Sequence, residues 1–234
     1  MKHYHYLTLA LLLALSAPHL SCTNRSDAAV QNGKILFKGY GCASCHQIAG
    51  EGGVIGPDLT YVGFRKSPEW LDLWLKDPKA WKHNTLMPNF YLKEDTRRAL
   101  VSYLSSLKGE PYQQNPPWNA PGLMDDPVKR GEKIFKHAGC VGCHGNAGVG
   151  KYPNNNVVGG QIPALKTVAD GYSKEELKEK IHKGVPMSAK ADVNGPDPMI
   201  HMPTWGDVLK DDELDALVEY LYSLRPPKAE GEEW

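Results

Sequence analysis

Net charge, long apolar runs and strand-like alternation are all missing from this chain, and each absence narrows what it can be. Lys and Arg number 27 against 27 Asp and Glu, so no basic excess is available to bind nucleic acid. The balance is uneven along the chain: residues 33–110 hold 11 basic and 8 acidic side chains, whereas residues 128–225 hold 13 of each. The small positive excess of the first half is expected to steer an acidic partner. The one apolar run, residues 7–17 behind Lys2, is too short to span a bilayer and reads as the core of a secretory signal. No segment sustains a period of two, which leaves an all-α fold as the expectation.

Cysteine is scarce as well, with five in 234 residues, yet four of them fall in two copies of one pattern. Cys42, Cys45 and His46 form one Cys-x-x-Cys-His; Cys140, Cys143 and His144 form the other. Two thiols three residues apart can each form a thioether to one edge of a porphyrin, and the next residue then offers an imidazole to the iron. A zinc ribbon would place its pairs about 15–20 residues apart, whereas 94 residues separate Cys45 from Cys140. A thioredoxin-like motif would need a strand-helix-strand context that neither site has. Two covalent haem c groups are therefore expected.

The motifs belong to a longer internal repeat. Residues 33–46 align without gaps on residues 131–144 with 7 of 14 identical, and residues 99–107 align on 216–224 with 7 of 9 identical. Leu100, Val101, Tyr103, Leu104 and Leu107 mark one face of a helix, as do Leu217, Val218, Tyr220, Leu221 and Leu224. Ser67 and Pro68 form a helix start that Pro78 should end, and Ser173 with Glu176 forms a capping box. Five prolines at 111, 116, 117, 121 and 127 predict an extended, stiff strap between the repeats. The expected organisation is a signal at 1–21, a tether at 22–32, a first domain at 33–109, a Pro-rich linker at 110–127, a second domain at 128–225 and an acidic tail at 226–234.

On these residues the chain resembles the class I cytochromes c, two in tandem, each a small helical bundle around one covalent haem. The resemblance implies that Gly33 and Phe37, and Gly131 and Phe135, let the first helix of each unit cross its last. It implies that the carbonyls of Pro57 and Pro163 accept from the proximal rings of His46 and His144. It also implies thioether ligands at Met87 and Met202, each followed by proline and lying 41 and 58 residues after its histidine. Core packing is the alternative for any methionine; Met187, Met199 and His201 are rivals to Met202, and His83 to Met87. Residues 56–65 further resemble cytochrome c domains attached to terminal oxidases, where Arg65, with Trp70 or Trp81, would bond haem propionates.

Cys22, directly after the apolar run and followed by polar residues, resembles the lipidated cysteine of a bacterial lipoprotein, although His19 stands where that family has leucine. Cleavage near Ala17 or a retained signal anchor are the other readings. His/Met ligation closes both irons to substrate. The resemblance thus implies an exported dihaem cytochrome, anchored by lipid at the periplasmic or outer face of a bacterial membrane, relaying single electrons between redox proteins or to a membrane respiratory complex. A dihaem peroxidase or thiosulfate-oxidising enzyme, or a fixed subunit of a respiratory assembly, are the alternatives. The enzymes need an open or unusual sixth ligand, and neither domain holds a third cysteine.

Overall fold

The computed structural model describes residues 25–227, so the signal, Cys22 and most of the acidic tail lie outside it. The first repeat runs through α1 (Arg25–Gly39), α2 (Val62–Arg65), α3 (Pro68–Lys76), α4 (Pro78–Trp81) and α5 (Glu94–Ser106). A short α6 (Glu110–Gln114) follows. The second repeat comprises α7 (Pro127–His137), α8 (Val141–His144), α9 (Val168–Gly171), α10 (Lys174–Lys183) and α11 (Asp211–Ser223). Strands are confined to two antiparallel pairs of two residues each, Gln47–Ile48 with Glu51–Gly52 and Tyr152–Pro153 with Gln161–Ile162. The all-α expectation holds. No helix among the described residues is long and apolar enough to cross a membrane.

Each repeat is organised by one helix crossing, α1 on α5 and α7 on α11. The backbones approach so closely that a Cβ on Gly33 would fall on the Ala99 carbonyl, and one on Gly131 on the Ala216 carbonyl. The aromatic four residues on then fills the groove. Phe37 meets Tyr103 edge-on with centroids 5.6 Å apart, and Phe135 meets Tyr220 at 5.4 Å. Leu214, Leu217 and Leu221 of α11 are buried beneath, each contributing about 2 kcal/mol of apolar transfer. The expected helix starts are present: Ser67 Oγ accepts from Trp70 N, and Ser173 and Glu176 close a reciprocal capping box.

Two expectations fail at the joints. Residues 25–32 are the first turns of α1 rather than a tether, because Val30 packs against the first core and Asp27 lies in the first turn. The linker is not an extended strap. Pro111 sits in the first turn of α6, where its missing N–H costs nothing, and Pro117 opens a second helical turn at Pro117–Asn119. That turn buries Trp118 against the second repeat, with Nε1 donating to Glu213 Oε1 at 2.7 Å, while Arg130 bridges Asn119 and Asp212.

The two repeats share their cores. Tyr61 of the first belongs to the apolar cluster of the second, with its ring 6.1 Å from Trp205, and Tyr152, Ile162 and Ile200 of the second belong to the cluster of the first. One buried carboxylate holds this face together. Asp58, 6% exposed, accepts from Thr60 N at 2.8 Å, Thr60 Oγ1 at 2.5 Å and Tyr112 OH at 2.7 Å, and pairs with His137 Nδ1 at 3.0 Å. Burial works to raise its pKa, but the bonds from His137, Thr60 and Tyr112 outweigh it and hold the carboxyl below its ordinary value.

A depressed carboxyl stabilises the fold fully above its unfolded pKa, about 3.9, and ceases to do so as pH falls through the lower folded value. Asp58→Ala should cost about 2–3 kcal/mol near neutrality, since the donors on Thr60, Tyr112 and His137 lose a charged acceptor. Denaturant melts of both proteins should show that gap shrinking at about pH 3. An equal gap at both pH values would refute the role of the carboxylate.

Candidate haem sites

In both repeats the attachment residues follow the first helix on a single tight turn. His46 N donates to Cys42 O at 3.0 Å and His144 N to Cys140 O at 2.9 Å, which curls each Cys-x-x-Cys-His into a helical turn. The rings are then fixed from behind. His46 Nδ1 donates to Pro57 O at 2.9 Å and His144 Nδ1 to Pro163 O at 3.1 Å, so each Nε2 keeps its lone pair. The two proline carbonyls match in role although Ile162-Pro163 is the looser sequence. Burial lowers both imidazole pKa values, with the proline carbonyl opposing it; at His144 the Lys66 charge adds to the lowering. The outcome is two neutral, oriented imidazoles of the kind that ligate metals. The Cys140 thiol is pushed up to about 12 by burial.

In the second repeat Cys140, Cys143, His144 and Met202 line one cavity of about 530 Å³. Phe135, Ile162, Trp205, Leu217 and Leu221 supply its apolar walls. An apolar hollow that presents two thiols, an imidazole and a thioether fits a flat iron macrocycle, whose iron accepts N and S donors and whose edge takes the sulfurs. Of the rivals to Met202, Met187 is 85% exposed and Met199 packs against the first repeat's cluster. Neither lines the cavity. His201 does, with Nδ1 buried and unpartnered.

The long loop that carries Met202 is clamped by three consecutive asparagines. Asn154 exchanges two hydrogen bonds with Ile200, Asn155 Oδ1 accepts from Met199 N, and Asn156 Nδ2 donates to the Asp192 and Pro196 carbonyls. Val185 N then donates to Met202 O at 2.8 Å. The Asn-Asn-Asn run was a signal in the sequence that periodicity and spacing did not pick out.

In the first repeat Met87 and Cys42 pack against the same apolar cluster. Trp74 Nε1 donates to Met87 Sδ at 3.0 Å, a contact sequence reasoning missed because it passed over Trp74 for Trp70 and Trp81. Trp70 stacks on Trp74 at 5.2 Å with its own Nε1 buried and unpartnered, whereas Trp81 Nε1 is spent on the Pro153 carbonyl of the second repeat. His83 is exposed. Arg65 does not stay within its own repeat. It crosses the interface to the second cavity, and Lys66, unremarked in the sequence, is buried beside it.

The Cytochrome c family model matches residues 30–108 and again 128–225. The CcoP component of the cbb3-type cytochrome c oxidase of Helicobacter pylori (strain 52) is 27% identical over 188 residues, 79% of this chain and 55% of that protein. The "Cytochrome c oxidase subunit 2" of Alkalihalophilus pseudofirmus is 30% identical over 92 residues, 36% of this chain and 27% of that protein. A nitric oxide reductase subunit of Stutzerimonas stutzeri is 31% identical over 90 residues, 35% of this chain and 62% of that protein. The chain thus spans about half or less of the length of the first two of these relatives. With the family model matched once on each repeat, the chain belongs to the cytochrome c family as a tandem of two class I cytochrome c domains, whose chemistry is electron transfer through covalently held haem c.

Proposed function

We propose that this chain is a dihaem c-type cytochrome that passes single electrons between respiratory redox partners at the periplasmic or outer face of a bacterial membrane, tethered there by lipid on Cys22. The observation that carries this reading is the duplication of a complete site: in each repeat a Cys-x-x-Cys-His turn has its imidazole held through Nδ1 by a proline carbonyl. Haem c, when bound, supplies an iron that cycles between ferrous and ferric states. The chain's own residues do the rest. His46 and Met87 in one domain, His144 and Met202 in the other, would occupy both axial positions and leave no place for substrate. The Trp74 bond to Met87 and the asparagine clamp behind Met202 restrict movement of the sulfurs. A relay that is not itself an enzyme follows from that closure. The relatives, subunits of oxidases and of a nitric oxide reductase, favour a second reading in which the chain is a fixed cytochrome subunit of such a complex.

Denatured protein should retain two haems per chain, and the Cys140→Ser, Cys143→Ser double variant one, measured as covalent haem per polypeptide. Loss of all haem on acid extraction would sink the assignment. Met87→Leu and Met202→Leu should each remove about half of the sulfur-to-iron charge-transfer absorption of the oxidised protein and lower one haem's potential. The unmodified reduced protein should bind carbon monoxide scarcely at neutral pH; rapid binding, or turnover of peroxide or thiosulfate, would favour an enzyme. Cys22→Ser should release the protein from membranes, since only multiple acyl chains hold firmly. A mature N-terminus beyond residue 22 would exclude lipidation.

A further inference from the structure

The loop that carries Met202 is rooted in the first domain. Ile200, two residues before that methionine, is buried in the first domain's apolar cluster, and Met199 packs against the same cluster together with Met87 and Trp74. The loops of both axial methionines thus share one core. Three consecutive residues of the second domain join them more closely.

Tyr152, Pro153 and Asn154 run along this interface. Tyr152, buried, sets its ring against Trp74 with centroids 6.3 Å apart, and Trp74 Nε1 donates to Met87 Sδ at 3.0 Å. Pro153 O accepts from Trp81 Nε1 at 3.2 Å. Asn154, also buried, donates through Nδ2 to Ile200 O at 2.8 Å and accepts at Oδ1 from Ile200 N at 3.2 Å. Met202 follows two residues on, its carbonyl accepting from Val185 N at 2.8 Å. Tyr152 also pairs with Ile162, the residue before the proline whose carbonyl orients His144.

Such a segment transmits displacement. Pro153 locks its own φ, so Tyr152 and Asn154 do not turn freely about the residue between them. A buried side-chain amide that lost both bonds to Ile200 would stand unsatisfied, so Ile200 follows Asn154. Close-packed interiors are scarcely compressible and pass strain on to their neighbours. We infer that Tyr152-Pro153-Asn154 is an interdomain strut that couples the seats of the two methionine ligands: Tyr152 and Asn154 are positioning residues through which loosening Met87 loosens Met202, and the reverse. This rests on the reading of Met87 and Met202 as axial ligands. It goes beyond that reading in making the two sites dependent on each other.

The test displaces each sulfur with imidazole in the full-length, haem-loaded, oxidised chain and follows the sulfur-to-iron charge-transfer absorption. In Met202→Leu only Met87 contributes to that absorption, and in Met87→Leu only Met202. Adding Asn154→Ala to the first chain should lower the imidazole concentration for half-displacement of Met87 about threefold, although the Asn154 side chain bonds only to Ile200. Adding Trp74→Leu to the second chain should do the same at Met202, because it withdraws the ring that Tyr152 packs against. Tyr152→Leu should lower both midpoints and Tyr152→Phe, which keeps the ring, neither; Tyr152→Leu decides the matter if either of the other substitutions unfolds the protein. Midpoints equal to those of the parent chains, with native circular dichroism, would overturn the inference. A response in one direction only would overturn it too, because coupling between two sites is reciprocal. A parent chain with no charge-transfer absorption before imidazole is added would instead fail the ligand reading, and the strut with it.

Discussion

The carboxylate of Asp58 is the contact on which the arrangement of the two domains depends. It follows Pro57, whose carbonyl orients His46, and it gathers donors from its own loop, from the linker and from the second domain. A single buried charge with that many partners admits few alternative geometries, because any rotation of one domain leaves donors and acceptor unpaired in a dry interface. The ring of one proximal histidine and the docking of the other domain are therefore set by adjacent residues. Arg65, seven residues on, extends the same loop into the second cavity while bonding back to the Asp58 carbonyl.

Duplication explains why each domain is built the same way, and divergence explains why they are joined. The glycine crossing, the aromatic in its groove and the proline carbonyl behind the imidazole recur in both. What differs lies at the interface. The first domain spends a stacked pair of tryptophans, Trp70 on Trp74, and a donor from Trp81 on the region around Tyr152 and Pro153. The second answers with Trp205, which receives Tyr61 and Phe64 edge-on. Aromatic rings pack such a face with large area and few rotamers to freeze, so the joint is stiff as well as apolar.

Much of each site was legible from spacing. Cys-x-x-Cys-His states its own local geometry, since two thiols and an imidazole within five residues lie on one turn, and Met-Pro before the last helix marks a loop that the repeat aligns twice. The following proline sets Met202 apart from Met187 and Met199, and burial agrees, leaving Met187 in solvent and packing Met199 against the first domain's cluster. His201 shares the cavity with Met202, so position does not choose between them, and the preference for Met202 comes from the repeat. The linker was misread because proline density says where a helix cannot continue, not where one can begin, and Pro111 and Pro117 stand at beginnings.

The sequence by itself determined the family, the all-α architecture, the two attachment turns and the glycine crossings, because each of these is a local pattern repeated at a fixed spacing and needs no knowledge of distant neighbours. The tertiary structure alone decided which residues meet across the interface and behind the ligands. Asp58 with His137, Trp74 with Met87 and Arg65 with Gly139 are pairs 79, 13 and 74 residues apart. No periodicity links such partners. They are selected by the burial of charge and of hydrogen-bond donors when folded surfaces close on each other, an event whose cost and compensation exist only once those surfaces have formed.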